Sequence, residues 1–250
     1  MIPIRTELEI DTMSQGGQIL AKIMKQLIAD IKNGMKQMSD INEKAEEYMA
    51  DVQVKPAFKG YRNYPASVCI SVDSEVVHGI PAEKKTIEDG HLISLDIGIG
   101  YQGFYLDMAE SFIKGQTDND VGHKLIDITR AGLEAGITKA VAGNEVRDIS
   151  RAVQQKVEEA GFGVVRQLVG HGIGRNLHEE PSVPNFISSG PSPKLKTGMV
   201  IAIEPMITEG NWRVFTHSDG WTVETTDHKL AAHIERTVAI TSKGPQILTK

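Results

Sequence analysis

Two aspartates interrupt neighbouring apolar segments, where an acidic side chain is costly unless it is paired. Asp96 alternates with isoleucine and leucine in LISLDIGIG, and Asp107 alternates with apolar residues in FYLDMAESFI. The glycine-bracketed residues 100–103 between these segments predict a hairpin turn. If the hairpin is centred on residues 101 and 102, the two aspartates lie directly opposite each other, with Cβ atoms ~5 Å apart.

Like charges in that position destabilise a sheet unless something neutralises them. Two solutions are open, a proton shared between the carboxyl groups or a bound cation. The competing explanations are a slipped register and a solvated face that carries two unrelated aspartates. Slippage by one residue would turn the isoleucine and leucine face towards water, which disfavours the first of these.

Two glutamates occupy the same kind of position nearer the C-terminus. Glu204 lies in MVIAIEPMI, on the face opposite its isoleucines, and Glu235 lies in AAHIERTVAI, on the face of His233. A carboxylate centred in an apolar strand is costly unless it is paired or metal-bound. The four carboxylates would balance the charge of two divalent ions held ~3.5–4 Å apart.

The ligand types restrict which metal the site would hold. Oxygen-rich ligation with one neutral imidazole favours Mn, Fe or Co. Zn stays among the candidates because its place in the Irving–Williams order of affinities lets it compete with these ions for most protein ligands. Cys69 is the one cysteine of the chain, which excludes a cysteine-based zinc site, and no HExxH motif occurs. The pattern therefore indicates a dinuclear site of carboxylates and histidine.

Three histidines lie in loops flanked by glycine or proline that follow β-like segments. They are His78 in SEVVHGIP, and His171 and His178 in GHGIGRNLHEEP. A lone loop histidine is usually structural or solvated, but three beside a carboxylate cluster favour a functional role. The other five have ordinary explanations in polar turns or, for the last, in packing: His91, His123, His217, His228 and His233.

Helices must flank the strands that carry these residues. Thr6 and Glu9 predict a capping box at the start of a first helix, whose apolar residues then recur at spacings of three and four. Gly34 is expected to end this helix. Ser39 is expected to cap a second, shorter helix that runs to about residue 51.

A second helix pair repeats this arrangement. Residues 118–141 and 145–160 predict helices with Gly143 between them, and each pair is followed by a β-like stretch and a His-Gly dipeptide, at residues 78–79 and 171–172. The repetition suggests an internal duplication with the site where the halves meet. The alternative is that two αα-hairpins, which are common, look alike by chance.

The sequence predicts one α/β (α+β) domain over residues 1–250. The only loop-like cluster, residues 181–193, is too short to tether independent domains. The expected strands cover about residues 66–73, 92–99, 104–113, 163–169, 199–207, 212–216, 221–225 and 232–241.

The charge and apolar content of the chain disfavour nucleic-acid-binding and membrane-spanning proteins. Lys and Arg number 27 against 33 Asp and Glu, a net charge of −6 that disfavours a protein built to bind nucleic acid. No uncharged apolar run approaches the ~20 residues of a membrane helix, and the N-terminus lacks an apolar signal core. A single cysteine fits a reducing compartment. We therefore expect a cytoplasmic protein.

Motifs spread over essentially the whole chain resemble those of the type I, bacterial-type methionine aminopeptidases. This resemblance implies the pita-bread fold, in which pseudo-twofold halves place helices behind a curved antiparallel sheet. The motifs are YPASVCIS at 64–71, VVHGIP at 76–81, SLDIG at 94–98, GFYLD at 103–107, GHGIG and LHEEP at 170–181, GMVIAIEPM at 198–206 and HIERT at 233–237.

The resemblance also implies the activity, which is removal of the initiator methionine from nascent or newly made chains when the second residue is small. Two divalent ions (Co, Fe, Mn or Zn) would be held by five ligands. Asp96 would chelate one ion, Asp107 and Glu235 would bridge both, and His171 and Glu204 would complete the shell of the other.

Further roles follow from the same resemblance. Glu204 would act as general base, His178 would hydrogen-bond the scissile carbonyl, and His78 would contact the amide nitrogen. Leu177 stands where many members have an aromatic residue, and Phe58 stands where some have cysteine. These two departures do not change the expected substrate class, but they alter the shape of the pocket. The residues expected to line the methionine pocket are Phe58, Tyr61, Tyr64, Cys69, His78, Leu177, His178 and Trp221.

Two other functions remain to be weighed. A non-catalytic pita-bread interaction protein would be expected to lack part of the ligand set. An Xaa-Pro dipeptidase-like relative would carry an extra N-terminal domain, for which a first helix near residue 6 leaves no room. Type II methionine aminopeptidases carry an insertion between the last active-site histidine and the first glutamate ligand, whereas only 26 positions separate His178 from Glu204.

The expected partner is the N-terminal methionine of peptides and nascent chains. Transient ribosome association is left open by the sequence. We expect a monomer, since no exposed apolar stripe demands a partner, and neither a nucleic-acid site nor a membrane interaction.

Overall fold

The first helix begins at its sequence signal. In the computed structural model, which describes residues 2–250, α1 (Glu7–Lys32) follows Thr6, whose hydroxyl accepts the Glu9 N–H at 3.2 Å. The Glu9 carboxylate accepts the Thr6 N–H at 2.9 Å in return. The predicted capping box is therefore confirmed. Gly34, with φ of +118°, ends the helix in the left-handed region that glycine favours.

The remaining helices form the predicted pairs. α2 (Met38–Asp51) starts one residue before Ser39 and has no side-chain cap, so the predicted Ser39 cap is wrong. α3 (Asp120–Lys139) and α4 (Val146–Glu158) lie within their predicted limits. Within residues 2–250, no helix combines the length and the apolar character needed to cross a membrane.

Short strands account for most of the remaining regular structure. Their bounds are β1 (Lys55–Pro56), β2 (Val68–Val72), β3 (Glu75–Val77), β4 (Leu92–Tyr101), β5 (Phe104–Ile113), β6 (Gly163–Val164), β7 (Gly170–Gly172), β8 (Glu179–Val183), β9 (Val200–Ile203), β10 (Met206–Thr208), β11 (Val214–Thr216), β12 (Val223–Thr225), β13 (Ala231–His233), β14 (Glu235–Thr241) and β15 (Gly244–Ile247).

A large antiparallel sheet forms the centre of the molecule. Its order is β1-β4-β5-β14-β9-β7-β8, with β2 on β4 and β15 on β14. Helix α1 packs on β4 and β5, and α3 packs on β13, β5, β10 and β9. Each helix pair buries its own apolar cluster, one around Leu20 and Ile97 and the other around Leu133 and Ile201.

Two predicted strands are each divided between two sheets. Residues 199–207 form β9 and β10 with a break at Glu204, and residues 232–241 form β13 and β14 with a break at Ile234. β10 and β13 leave the large sheet for a small one with β6. Pro205 lacks the N–H that would continue a ladder, which fits the first break. The predicted strand at 163–169 shortens to β6.

The predicted register of the β4–β5 hairpin is wrong by two residues. Tyr101 pairs with Phe104, so Asp107 lies opposite Gly98 rather than opposite Asp96. The two turn residues are 102 and 103, with φ of +47° and +81°. A type I′ turn needs positive φ at both central positions, which favours the Gln-Gly pair over Tyr-Gln. The aspartates still share a face, as diagonal neighbours.

The segment before α1 is tied to the loop that carries His178. The Arg5 N–H donates to the Gly198 carbonyl at 2.7 Å, and the Arg5 guanidinium pairs with Glu179. Both side chains of this ion pair are only 8% exposed. A Cβ at Gly174 would collide with the guanidinium and displace it, so glycine leaves room for the ion pair. The ion pair therefore fixes the backbone next to His178 from the far end of the chain.

Replacing Arg5 with methionine should destabilise the protein by about 3 kcal/mol, because the Glu179 carboxylate would stay buried without its partner. Arg175→Met is the matched control, since Arg175 also lies over the Phe104 ring but pairs with Glu9 while 60% exposed. That variant should lose less than about 1 kcal/mol. Urea unfolding measures both, and equal losses would contradict a structural role for the buried pair.

Candidate active site

One cavity collects every side chain that the sequence predicts to bind metal or substrate. Its volume is about 140 Å³, comparable to the ~150 Å³ space that accommodates benzene in a protein core. The cavity therefore has room for one medium-sized apolar side chain. Its lining is Phe58, Tyr61, Arg62, Tyr64, Cys69, His78, Asp96, Asp107, His171, Leu177, His178, Glu204, Trp221 and Glu235.

The order of strands in the large sheet brings the acidic residues together. Asp96, Asp107 and Glu235 lie on β4, β5 and β14, which are neighbours, and Glu204 directly follows β9. Thr237 on β14 fixes β5 at this point, because its hydroxyl donates to the Asp107 carbonyl at 2.8 Å and accepts the Asp107 N–H at 3.1 Å. The carboxylates are thus placed by backbone pairing.

A compact group of possible ligand atoms lies at the bottom of the cavity. One atom each from Asp107, His171 and Glu235 falls within 4.8 Å of the others, and all three residues are buried. Nε2 of His171 is 3.6 Å from a Glu204 carboxylate oxygen. Asp96 is also buried, and its carboxyl group interacts directly with that of Asp107.

Several of these carboxylate oxygens have no hydrogen-bond partner among residues 2–250. They include one oxygen each of Asp96, Asp107 and Glu235. Buried acceptors without donors are costly, and a cation satisfies several of them at once. Of the two solutions that the sequence left open, a shared proton would satisfy only one pair. The donor set of oxygens and one imidazole fits divalent Mn, Fe, Co or Zn.

Burial and mutual repulsion disfavour the ionised carboxylates. Burial raises the pKa of Asp96 to about 7. It also raises the pKa of Asp107, with further increases from Glu235 and Asp96. The pKa values of Glu204 and Glu235 rise for the same reasons, burial first and neighbouring carboxylates second. Without cations, the cluster therefore holds protons at neutral pH.

His171 is set up as a neutral ligand. Burial lowers its pKa to about 4, so the ring carries one proton at pH 7. Nδ1 lies 2.9 Å from the Gly172 carbonyl, which accepts a hydrogen bond only if the proton is on Nδ1. The lone pair of Nε2 consequently faces the carboxylate cluster, which is the tautomer a metal ligand requires.

The two further histidines line the cavity above the carboxylates. The His178 ring lies 4.1 Å from that of His171 and stacks on Tyr61, whose hydroxyl is 2.8 Å from His178 Nδ1. Burial lowers the pKa of His178 to about 3, with a smaller contribution from the charge of His171. His78 has a positive φ of +60°, and its ring meets the edge of Trp221 at 6.2 Å. Such backbone strain in a non-glycine residue is often found at functional sites.

Aromatic and aliphatic side chains form the walls of the cavity. Tyr64 meets the Trp221 ring edge-on at 5.0 Å, and its hydroxyl donates to the Gly79 carbonyl at 3.0 Å. A Cβ at residue 98 would lie 2.7 Å from the Phe58 ring, so Gly98 on β4 makes room for that ring. These walls provide the apolar surface that a thioether side chain would contact.

Two residues near the site had no assigned role from the sequence. Arg62 lines the cavity between Tyr61 and Tyr64. Buried His233 has Nε2 3.7 Å from Glu204 and 4.0 Å from Glu235, and neither ring nitrogen has a hydrogen-bond partner among the described residues. Packing alone therefore does not explain His233. The sequence does contain a signal for each of these residues. Arg62 lies between two residues predicted to line the pocket, and His233 shares a strand face with Glu235.

Comparison with known proteins gives consistent matches over the whole chain. The model of Metallopeptidase family M24 matches residues 11–242. A methionine aminopeptidase of Clostridium perfringens is 46% identical, with 100% of this chain and 99% of that protein covered. The crystal structure of a methionine aminopeptidase from Thermotoga maritima has a TM-score of 0.94 and 42% identity, with both chains fully covered.

A more distant structure also has the same fold. Prolidase from Pyrococcus furiosus has a TM-score of 0.79 and 24% identity, and the alignment covers 99% of this chain but 65% of that one. Together these matches confirm the predicted pita-bread class, with its curved antiparallel sheet and flanking helices.

The stability of the metal-free protein should fall as pH rises from about 6.5 to 8.5. Unfolded carboxyl groups lose their protons near pH ~4, whereas folded Asp96 holds one to about pH 7, and burial raises the pKa of Asp107 as well. The folded state therefore binds more protons in this window, and the free energy of unfolding decreases with pH. The buried histidines, whose pKa values are lowered, act in the opposite direction only below their unfolded value of ~6.5.

Urea unfolding in the presence of a chelator measures this slope. Asp107→Asn removes one of the repelling carboxyl groups and should flatten it, whereas Asp127→Asn, on the exposed face of α3, should leave it unchanged. A free energy of unfolding that stayed constant or rose across this window would contradict the assigned protonation.

Proposed function

The chain belongs to metallopeptidase family M24, and we propose from this premise that it is a methionine aminopeptidase, a metal-dependent hydrolase that removes N-terminal methionine when the second residue is small. The observation that carries the proposal is the single cavity in which four clustered carboxylates, three of them buried, and three histidines meet an apolar wall. Sequence identity of 40% to 46% over the full length of the chain with proteins named methionine aminopeptidase supports the substrate class.

The carboxylate cluster is the proposed metal site. Two divalent ions bound there supply Lewis-acid polarisation of a carbonyl and a lowered pKa for water. Unpartnered buried oxygens and the Nε2 lone pair of the histidine support this assignment. The five proposed ligands are Asp96, Asp107, His171, Glu204 and Glu235.

Glu204 is the proposed general base. It lies at the break between β9 and β10, so its carboxylate is not confined to the face of one sheet. Burial and the charges of Asp107 and Asp96 raise its pKa in the metal-free protein, whereas cations bound in the cluster would favour the ionised carboxylate that can accept a proton. The attacking water gives its proton to this carboxylate.

His178 is the proposed hydrogen-bond donor to the scissile carbonyl. The ring is neutral at pH 7 because burial lowers its pKa. We assign the Tyr61 hydroxyl, 2.8 Å from Nδ1, as the donor of this hydrogen bond, an assignment that places the single ring proton on Nε2. Nε2–H can then stabilise the negative charge that develops on the carbonyl oxygen. Tyr61 is in this way a positioning residue for His178.

His78 and the walls complete the proposed substrate site. His78 contacts the amide nitrogen of the scissile bond and assists its departure as an amine. The methionine side chain occupies the apolar part of the cavity, among Phe58, Tyr64, Cys69, Leu177 and Trp221. The free N-terminal amine lies towards the carboxylate cluster, so the enzyme cleaves one residue from the end of a chain.

The two alternative functions are not favoured. An interaction protein has no need of a buried cluster of unpartnered carboxylates, which costs stability. An Xaa-Pro dipeptidase-like activity has behind it likenesses to prolidase structures at 24% and 25% identity, well below the 42% identity to the methionine aminopeptidase structure.

The proposed substrate also suggests where the protein acts and with which partners. We propose action on newly made chains in the cytoplasm as a monomer, since the large exposed apolar side chains are scattered rather than contiguous. Contact with ribosomes would then be transient.

Asp107→Asn should abolish both metal binding and hydrolysis of Met-Ala-Ser while the fold is retained, because the residue is proposed to contact both ions. Metal content per chain, circular dichroism and peptide hydrolysis measure the three effects. Asp127→Asn is the matched control and should bind two ions per chain with full activity. A fully active Asp107→Asn protein would refute the two-metal assignment.

His178→Ala should lower kcat by roughly 10²-fold, the usual loss of one oxyanion donor, with metal content unchanged. Tyr61→Phe should lower kcat by a smaller factor, because Nε2 would no longer be the enforced site of the proton. Steady-state kinetics on Met-Ala-Ser, with His123→Ala as an exposed control, measures these effects. A His178→Ala variant with reduced metal content would identify the residue as a ligand instead.

A further inference from the structure

Arg62 is the one arginine or lysine, among residues 2–250, that lines the cavity. It is exposed and lies in the short 3₁₀ turn Tyr61–Asn63. Its backbone is left-handed, with φ of +47° and ψ of +30°. A non-glycine residue in this region is uncommon, so the local structure specifies where the side chain starts.

The guanidinium is placed by a contact that belongs to the site. It lies over the Tyr61 ring at 5.5 Å, and the Tyr61 hydroxyl reaches His178 Nδ1 at 2.8 Å. The positive charge of Arg62 also contributes to the low pKa of His178. Arg62 therefore borders the part of the cavity where the scissile carbonyl is proposed to bind.

This charge has no carboxylate partner. Among residues 2–250, no Asp or Glu oxygen lies within 4.0 Å of its guanidinium nitrogens, and the side chain makes no hydrogen bond. The nearby Lys59 is already paired with Glu46 at 2.7 Å. The mouth of the cavity thus presents an uncommitted guanidinium.

The direction of the substrate chain follows from the proposed function. The methionine side chain occupies the apolar walls, and the carbonyl of the bond to be cleaved faces His178. The residues beyond that bond must leave through the open end of the cavity, which Tyr61 and Arg62 border. Side chains after the second residue are therefore the substrate groups closest to the guanidinium.

We propose that Arg62 is a specificity-determining residue that binds an acidic side chain of the substrate just after the second residue. Peptides with Asp or Glu at the third position are then preferred over neutral ones, and peptides with Lys or Arg there are disfavoured. This inference rests on the proposed function, since it assigns a place to the chain that follows the cleaved methionine.

The test compares three peptides that differ only at the third position, Met-Ala-Xaa-Ser-amide with Glu, Gln or Lys as Xaa. The amide removes the terminal carboxylate, which would otherwise be a second partner for the guanidinium. The metal-loaded protein should show a kcat/KM for the Glu peptide about two- to fivefold above that for the Gln peptide, as expected of an exposed ion pair. The Lys peptide should be cleaved more slowly than the Gln peptide, and added salt should reduce all differences.

Arg62→Gln removes the charge and should bring the Glu-to-Gln ratio of kcat/KM to about one. Arg62→Lys keeps the charge and should retain part of the preference. Arg213→Gln is the matched control, because Arg213 also lies over an aromatic ring, at 5.0 Å, and forms no ion pair among the described residues, but does not line the cavity. That control should keep the ratio of the unaltered protein.

The outcomes separate this inference from the function on which it rests. An unchanged Glu-to-Gln ratio in Arg62→Gln would overturn the inference alone. An equal loss of kcat/KM on all three peptides would also overturn it, and would make Arg62 a positioning residue for Tyr61 and His178. Failure of the unaltered, metal-loaded protein to cleave any of the peptides would overturn the proposed function as well.

Discussion

Mutual repulsion among four clustered carboxylates, three of them buried, is the constraint on which the rest of the structure depends. Asp96, Asp107, Glu204 and Glu235 meet at the bottom of one cavity, and burial together with their mutual charge raises their pKa values. Side chains alone would relieve this by moving apart. The ladders of the antiparallel sheet prevent that, because backbone hydrogen bonds fix the strands regardless of side-chain charge. Cations that bind among the carboxylates relieve this repulsion. Because they bind the folded state preferentially, they also stabilise it.

The two halves of the fold each contribute part of this site. The first half brings Asp96 and Asp107 on one hairpin, and the second brings His171, Glu204 and Glu235 from three different chain segments. Breaks in the second half matter for its shape, because they let β10 and β13 leave the large sheet beside the carboxylates. The buried Arg5–Glu179 ion pair then secures the loop that ends in His178.

Charge changes in steps from the bottom of the cavity to its mouth. Three of the carboxylates and the neutral His171 are buried, whereas His178 and Arg62 are exposed. The neutral state of the histidines is a consequence of burial, and it determines which ring nitrogen carries the proton. Tyr61 connects the last two steps, because its hydroxyl contacts His178 while its ring lies under the guanidinium.

The sequence by itself determined which residues face inwards. Strand alternation identified the acidic face, because alternation is a local property of the sequence, and the resemblance to the methionine aminopeptidases implied the other lining residues except Arg62. The tertiary structure decided the register, since the positive φ of residues 102 and 103 moves Asp107 from opposite Asp96 to a diagonal position. It also decided the strand breaks and the proximity of His233 and Arg62 to the site. The proximity of His233 and Arg62 to the site depends on how distant segments pack, whereas the register and the first strand break also have local causes in the Gln102-Gly103 turn and in Pro205.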